Sequence, residues 1–415
     1  MRELGVGLIG CGVVGTEVVR GIAEDREVWA RRYGVVPVVR RVAVRDTSRR
    51  RECNLPPSVL TAHPEDVLAD PSVDVVVEAT GRVEEARNWM ERALDAGKHV
   101  VTASKAVLAR HMGELLERAR ARGLSFGYEA TVAGGIPLLR ALRDGLVAYG
   151  ITEIAGILNG TTHYMLTRME QERLPFETAL SEAQRAGFAE PDPSEDVSGE
   201  DAACKLAVVS RMALALPVTQ RDVYKEGIRD VKPRDLRLAV KLGFRVKPMA
   251  VARRSAVEGK WELRVHPALV PIESPLGRLA LEENGIRVTT ERRGDYFFSG
   301  RGAGGAPTAG AVLSDLLEVA LRPGGPPAVE MADSASTVTS EQFVTGHYVR
   351  VAGDAARLRK DLEERDIQVI AAHQEGQEVA LVTGRGTPAS VLPALAAASG
   401  EAPRVWLRVE GDISA

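Results

Sequence analysis

Residues 182–206 read EAQRAGFAEPDPSEDVSGEDAACKL and crowd Glu190, Asp192, Glu195, Asp196, Glu200, Asp201 and Lys205 around two prolines and two glycines. Carboxylates at that density cannot form a core, because a buried, unpaired charge is too unfavourable. The stretch is either a wet surface or a receptor for a cationic, polar ligand. From Gly199 the pattern turns helical, and Asp201 and Lys205 stand four apart, on one helix face. Ala202, Ala203, Leu206, Val208 and Val209 around them are apolar. An acid and a lysine thus project together from a helix that otherwise reads as buried. The same spacing also fits an ordinary ion pair on a solvated face.

A second chemistry lies near residue 10. Residues 4–9 are a short apolar run, expected as a buried strand. Gly10-Cys11-Gly12-Val13-Val14-Gly15 follows, then helical apolar spacing over 16–23. Strand, G-x-G-x-x-G and helix in that order mark a dinucleotide-binding turn. Gly10 permits the tight turn, Gly12 lets the backbone approach a pyrophosphate, and Gly15 lets helix and strand pack closely. Free N–H groups at the helix start then face the phosphates. After the second strand, 35–44, stand Arg45 and Asp46, then Arg49, Arg50 and Arg51. Arginine there suits a 2′-phosphate and favours NADP over NAD. Asp46 could instead serve a free ribose, and the arginine run could be a solvated loop.

These groups need a scaffold. Expected strands at 73–77, 98–103 and 124–128 alternate with helices at 84–96 and 106–122, which argues for an α/β, Rossmann-type doubly wound parallel sheet. Such sheets bind ligands beyond the carboxyl ends of their strands, where Thr80, Gly81, Ser104, Lys105 and Glu129 fall. Lys105 is a cation at a strand end with a helix opening behind it. Residues 128–137, YEATVAGGIP, join the sheet to a helix with proline at an early position. Carbonyls splayed from that turn, with the Glu129 carboxylate, can ligate a hard cation; a plain connector reads the same way. A strand at 151–158 ends in Asn159-Gly160-Thr161-Thr162-His163-Tyr164. This polar turn before a helix suits a phosphate, a carboxylate or a nicotinamide amide, or is simply a cap.

Helices near 176–187 and 199–216 and strand-rich stretches at 244–270 and 286–299 complete an α+β insert. A glycine loop, GRGAGGAPT, then opens a helix at 309–320 and could close over a cofactor or act as a hinge. The expected division is a dinucleotide-binding domain at 1–135, completed by helix 305–322, and an α+β substrate-binding and dimerisation domain at 136–304. A linker at 323–345, with breaks near 323–327 and 334–345, leads to a tail at 346–415. The tail reads strand 347–353, helix 355–365, strands 367–374 and 378–384, helix 388–399 and strand 404–409. That is β-α-β-β-α-β, the ferredoxin-like order.

Composition narrows the class. At 415 residues the chain is long enough for about two to four domains. A net charge of −3 gives no electrostatic case for nucleic acid. Cys11, Cys53 and Cys204 are scattered without disulfide or metal-ligand spacing, which fits a reducing, cytoplasmic setting. No signal segment and no apolar run of membrane-spanning length is read.

GLIGCGVVG, TASKAVLA, YEATVAGGIP, GILNGTTHYML, EAQRAGFAEPDPSEDVSGEDAACKL and GRGAGGAPTAGAV occur in the order found in homoserine dehydrogenases, and from about residue 4 to 320 the chain resembles that family. The resemblance implies NAD(P)H-dependent reduction of L-aspartate 4-semialdehyde to L-homoserine, within threonine, methionine and isoleucine biosynthesis. It matches Glu190, Asp201 and Lys205 to substrate and catalytic positions, with Asp196, Gly160 and Thr161 beside them. Lys105 matches a strand-end lysine with an acid/base role. Glu129, Val132, Gly134 and Ile136 match positions that hold a sodium-type ion, largely through carbonyls. Gly10, Gly12, Val13, Val14, Thr80, Lys105 and Gly302 match cofactor contacts, joined by Gly15, Arg45, Gly81 and Ser104; Pro307, without an N–H, is assigned none. Ser104 and His163 depart from the commoner asparagines.

The tail resembles an ACT domain. Its first turn reads Ala352-Gly353-Asp354-Ala355-Ala356 rather than acidic-Pro-Gly, so it fits a ligand-free dimerising module as well as a threonine sensor. A homodimer or homotetramer is expected. Two rivals remain: an aspartate-semialdehyde dehydrogenase, which needs a thiolate from Cys11 or Cys204, and a non-catalytic NAD(P) and amino-acid sensor.

Overall fold

The computed structural model describes residues 1–49, 51–325 and 337–412. Arg50, residues 326–336 of the expected linker and residues 413–415 of the tail lie outside the described residues. The chain forms two compact units.

The first unit comprises residues 1–147, 207–219 and the stretch from Gly300 onward through the next helix. Its elements are β1 (Arg2–Ile9), α1 (Val13–Tyr33), β2 (Val35–Ala43), β3 (Leu60–Thr61), α2 (Pro64–Ala69), β4 (Val75–Glu78), α3 (Val83–Asp95), β5 (His99–Thr102), α4 (Lys105–Ala121), β6 (Phe126–Gly127) and α5 (Leu138–Ala141). All six strands are parallel, in the order β3-β2-β1-β4-β5-β6. This is the doubly wound sheet expected from the alternation, and it places β1 and β4 side by side with Val6 opposite Val75. Strands buried on both faces read as continuous apolar runs; in β1 every residue from Leu4 to Ile9 is buried.

Helix α1 starts three residues before the expected Thr16, because Gly12 is already its cap, and it runs on to Tyr33. Its polar stretch 24–27 is exposed while Trp29 returns to the core. Helix α4 begins at Lys105 itself, with Ser104 as its cap.

The second unit comprises residues 148–206, 220–299 and the described residues from Thr337 on. In chain order come β7 (Ile151–Ile157), α6 (Gly160–Gln171), α7 (Phe176–Arg185), α8 (Ser194–Val197), α9 (Glu200–Leu214), β8 (Tyr224–Lys225), α10 (Pro233–Lys241), β9 (Phe244–Arg254), β10 (Trp261–Pro271), α11 (Pro275–Arg278), β11 (Glu283–Thr290) and β12 (Gly294–Arg301). Helix α12 (Gly305–Leu321) belongs to the first unit, where Ala309, Val312 and Leu316 share a core with Val18, Val19 and Ile22 of α1. The tail follows with β13 (Thr345–Ala352), α13 (Ala355–Glu363), β14 (Val369–Glu375), β15 (Glu378–Gly386), α14 (Pro388–Ser399) and β16 (Val405–Val409).

Two boundaries differ from the sequence reading. Residues 136–147 and 207–219 belong to the first unit rather than the insert. One reason is ionic: Arg140 in α5 pairs with Asp315 and Glu318 of α12 at 3.1 and 2.8 Å. The tail is also not set apart. Its own strands run β16-β13-β15-β14, but β16 lies parallel to β10, so one sheet continues β12-β11-β7-β9-β10-β16-β13-β15-β14. An edge strand offers unpaired N–H and C=O groups, and β10 and β16 satisfy each other's. Tyr348, Val382 and Val409 of the tail share a core with Leu236 of α10 and Val246 of β9. Among the described residues no helix is long and apolar enough to cross a membrane.

Candidate active site

The glycine turn and the carboxyl ends of β1, β2 and β4 in the first unit line a cleft of about 680 Å³ that includes Gly10, Gly12, Arg45, Asp46, Arg49, Arg51, Thr80 and Arg82. Gly10 has φ of 98°, and a Cβ there would stand 2.7 Å from the Ala79 carbonyl oxygen. A Cβ on Gly15 would stand 2.4 Å from the Gly10 oxygen, whereas one on Gly12 would meet nothing within 4 Å. The turn is therefore closed on its protein side and open where α1 begins, with Val13 and Val14 in the first helical turn. That is the cradle a pyrophosphate requires.

A buried acid organises the next two strand ends. The Glu78 carboxylate accepts the Thr80 N–H and hydroxyl, both at 2.7 Å, and the Thr102 hydroxyl at 2.9 Å. The Ser104 N–H donates to that same Thr102 oxygen at 2.9 Å. Burial pushes the Glu78 carboxyl up. This one side chain thus sets the backbone of Thr80, Gly81, Ser104 and the start of α4, where Lys105 sits half-buried. In the arginine loop, Asp46 turns back on its own chain. It accepts the Ser48 N–H and hydroxyl at 2.9 and 2.6 Å, which hold it below its usual range. Arg51 donates to the carbonyls of Asp46 and Arg49.

The turn after β6 carries two successive left-handed residues, Ala133 at φ 58° and Gly134 at φ 50°. A Cβ on Gly134 would stand 2.6 Å from the carbonyl of Gly302, which is buried against the turn. Glu129 is buried, and its two oxygens accept the N–H groups of Leu139 and Arg140 at 2.9 and 2.8 Å. Each carboxylate oxygen keeps a second lone pair. Backbone carbonyls such as those of Val132, Gly134 and Ile136 are hard oxygen donors of the kind a sodium-type ion takes. Ile136 is partly engaged, because its oxygen accepts the Leu138 N–H at 2.7 Å. Among the described residues no cluster of three or more His, Cys, Asp or Glu is arranged for a metal. Next to Glu129, whose N–H it accepts at 2.8 Å, the buried Asp315 carboxyl is pushed up to about 7 by burial and by the Glu129 charge.

The second unit holds the acid–lysine pair, and it is not a surface pair. Asp201 is 4% exposed and Lys205 9%. Lys205 Nζ donates to Asp201 Oδ2 at 2.7 Å and to the Leu158 carbonyl at 2.8 Å. Asn159 Nδ2 donates to the same Asp201 oxygen at 2.8 Å and to Asp196 Oδ1 at 2.7 Å. The end of β7, the short helix α8 and the first turn of α9 thereby converge. Gly160 and Thr161 open α6 directly after Asn159, and the Thr161 hydroxyl donates to the Phe188 carbonyl at 2.7 Å. Glu190 stays exposed on the loop between α7 and α8.

His163, the departure after NGTT, lies wholly inside. The Lys247 ammonium can only donate, so His163 Nε2 accepts from it at 3.0 Å, and Nδ1–H donates to the Glu283 carbonyl at 2.8 Å. Burial and Lys247 push the imidazole down to about 3, so it stays neutral. Cys53 does not offer an activated thiolate. Cys11 and Cys53 sulfurs lie 3.9 Å apart, and burial together with Cys11 pushes Cys53 up to about 11. Cys204 is buried in α9.

Comparison with known proteins agrees across the chain. Residues 10–129 match the family model described as homoserine dehydrogenase, NAD binding domain, and residues 137–317 match that of homoserine dehydrogenase. The chain is 38% identical over 399 residues to the homoserine dehydrogenase of Bacillus subtilis, covering 92% of each. It is 42% identical over 316 residues to that of Synechocystis, covering 76% of this chain and 72% of the relative. The crystal structure of a homoserine dehydrogenase from Thiobacillus denitrificans is similar over 100% of this chain and 99% of its own, with TM-score 0.88 and 34% identity.

Proposed function

This chain belongs to the homoserine dehydrogenase family and is an NAD(P)-dependent oxidoreductase; on that premise we propose which of its residues carry the reduction of L-aspartate 4-semialdehyde to L-homoserine. The nicotinamide dinucleotide, when bound, supplies the hydride that goes to the aldehyde carbon. Gly10, Gly12, Val13 and Val14 hold its pyrophosphate at the start of α1, with Gly15 keeping helix and strand close. Thr80, Gly81, Ser104, Lys105 and Gly302 complete its binding. Arg45, with Arg49 and Arg51, takes a 2′-phosphate, a choice supported by the engagement of Asp46 with Ser48, so NADPH is favoured over NADH.

Lys205 donates the proton to the aldehyde oxygen from Nζ and offsets the negative charge developing there. Asp201 orients that ammonium. Glu190 and Asp196 receive the substrate's own ammonium group, and Gly160 and Thr161 border it. Lys105 is the second candidate donor. Glu129, Val132, Gly134 and Ile136 would hold a sodium-type ion that neutralises oxygen dipoles in the turn. The tail serves oligomer contacts, in a homodimer or homotetramer, or threonine sensing, and the enzyme works in the cytoplasm.

The observation that carries this reading is a buried lysine held by a buried aspartate, two groups that a solvated surface would leave exposed. The test is loss of reduced-nicotinamide absorbance when aspartate semialdehyde is added, with NADPH and NADH in parallel. Consumption of neither would overturn it.

A further inference from the structure

We propose that Asn159 is the positioning residue of the acid–lysine pair, fixing the carboxylate that holds Lys205. The inference rests on the functional reading of Asp201 and Lys205 given above. Asn159 occupies the cap position of α6, one residue after Leu158 and two after the end of β7. It is 4% exposed, and four side-chain bonds surround its amide.

The orientation of that amide follows from its partners. The Thr162 backbone N–H can only donate, and it lies 2.8 Å from Asn159 Oδ1, as does the Thr162 hydroxyl. Oδ1 is therefore the acceptor, and Nδ2 must face the two carboxylates. Nδ2 has two hydrogens. One goes to Asp196 at 2.7 Å and the other to Asp201 at 2.8 Å. Adjacent in the chain, the Leu158 carbonyl accepts from Lys205 at 2.8 Å, and Lys205 closes the circuit on Asp201 Oδ2 at 2.7 Å. One dipeptide at a strand end thus holds both members of the pair, one through its backbone and one through its side chain.

Few residue types could do this. Serine or aspartate would also cap the helix. Serine has no second arm to reach the acids, and aspartate would put a third carboxylate beside two. An amide supplies the acceptor for the cap and two donors for the acids while adding no charge. Asp196, Asp201 and Lys205 together then carry one net negative charge, complementary to a substrate ammonium group. A cation in place of the amide would cancel it.

The test uses the full-length enzyme and Asn159→Ser, which keeps a helix cap and loses the bridge, with Thr162→Val as a milder variant that removes one donor to Oδ1. Asn159→Ser is expected to lower kcat about 10- to 100-fold, the scale of one hydrogen bond to a charged group. KM for the dinucleotide should not change. Thr162→Val should lower kcat less, in the same direction. Independently of turnover, trinitrobenzenesulfonate should label Lys205 faster in Asn159→Ser, and to a smaller degree in Thr162→Val, read by peptide mass. A kcat and a labelling rate both like wild type in Asn159→Ser would overturn the inference. If Asn159→Ser does not fold, a Lys205 labelling rate like wild type in Thr162→Val overturns it instead. Wild-type enzyme that does not consume the aldehyde would refute the functional reading alone, because faster labelling in the variant would still support the positioning role.

Discussion

Replacing Lys205 by methionine should abolish most turnover and also weaken the fold, and the two effects can be separated. Methionine keeps a flexible apolar stem of similar length, so little packing is lost. Removing a proton donor from a transition state costs about 10²- to 10⁴-fold, or roughly 3–5 kcal/mol of barrier. The same change takes the Lys205 ammonium away from Asp201, which is 4% exposed. Removing one member of a buried ion pair costs about 3–5 kcal/mol, and the Leu158 carbonyl also loses its donor. A lowered melting temperature alone could therefore imitate a catalytic defect. The double variant Lys205→Met with Asp201→Asn removes both charges. It should regain much of the stability, because the buried carboxylate leaves together with the ammonium that held it, yet stay as inactive as the single variant. Denaturant midpoints give the first quantity. Initial rates with saturating NADPH and aspartate semialdehyde, well below the transition, give the second. Turnover within tenfold of wild type in the single variant, or recovery of turnover along with stability in the double, would remove Lys205 from proton transfer.

Arg45→Ala with Arg49→Ala should raise KM for NADPH about tenfold or more, as expected for lost contacts to a phosphate, and leave KM for NADH nearly unchanged; equal effects on both cofactors would count against a 2′-phosphate site. Gly134→Ala, at φ 50° with Gly302 backbone 2.6 Å from the added carbon, should lower the melting temperature and raise the sodium chloride needed for half-maximal rate; an unchanged salt dependence would argue against a cation in that turn. Asp315, pushed up to about 7, binds a proton in the folded chain at pH values where the unfolded chain does not, so its contribution is fully present below the ordinary carboxylate range and is lost as pH rises through about 7. Urea midpoints should accordingly show Asp315→Asn gaining on wild type between pH about 4 and 7, and a constant difference across that range would contradict the raised value. Glu410 in the tail is the opposite case. Burial alone would push it up, but Arg264 and Arg253, bonded to it at 2.8–3.0 Å, hold it well below its usual range. Its contribution is present above the ordinary carboxylate range and lost only as pH falls through the depressed value; Glu410→Gln should cost about 3–5 kcal/mol at neutral pH, read by the same titration.

The sequence made the first sheet legible because parallel strands buried on both faces leave continuous apolar runs, and each run here ends in residues that cannot belong to a core. Gly10, Thr80 and Lys105 announce strand ends in that way. The join of the tail to the middle sheet was not legible. Only Ala268 and Leu269 of β10 and Arg408 and Val409 of β16 make the register, and two residues per strand carry no pattern of their own. The boundary at 346 follows from the βαββαβ order, which matches the tail's own elements and is silent about what its outer strand pairs with.

The residues that were missed share one property. Asn159 and Glu78 have their partners elsewhere in the chain, Asp201 forty-two positions away and Thr102 twenty-four. Locally, Asn159 is a helix cap and Glu78 an acid at the end of a valine strand, and both readings are true. What changes their meaning is burial, since an amide or carboxyl with no access to water must find its partners in the protein. A polar residue at a strand end is therefore worth two hypotheses from the start: one in which it meets the ligand, and one in which it holds the residue that does. In this chain Lys205 fits the first and Asn159 the second, and only the direction of a single amide, forced by the Thr162 N–H, tells them apart.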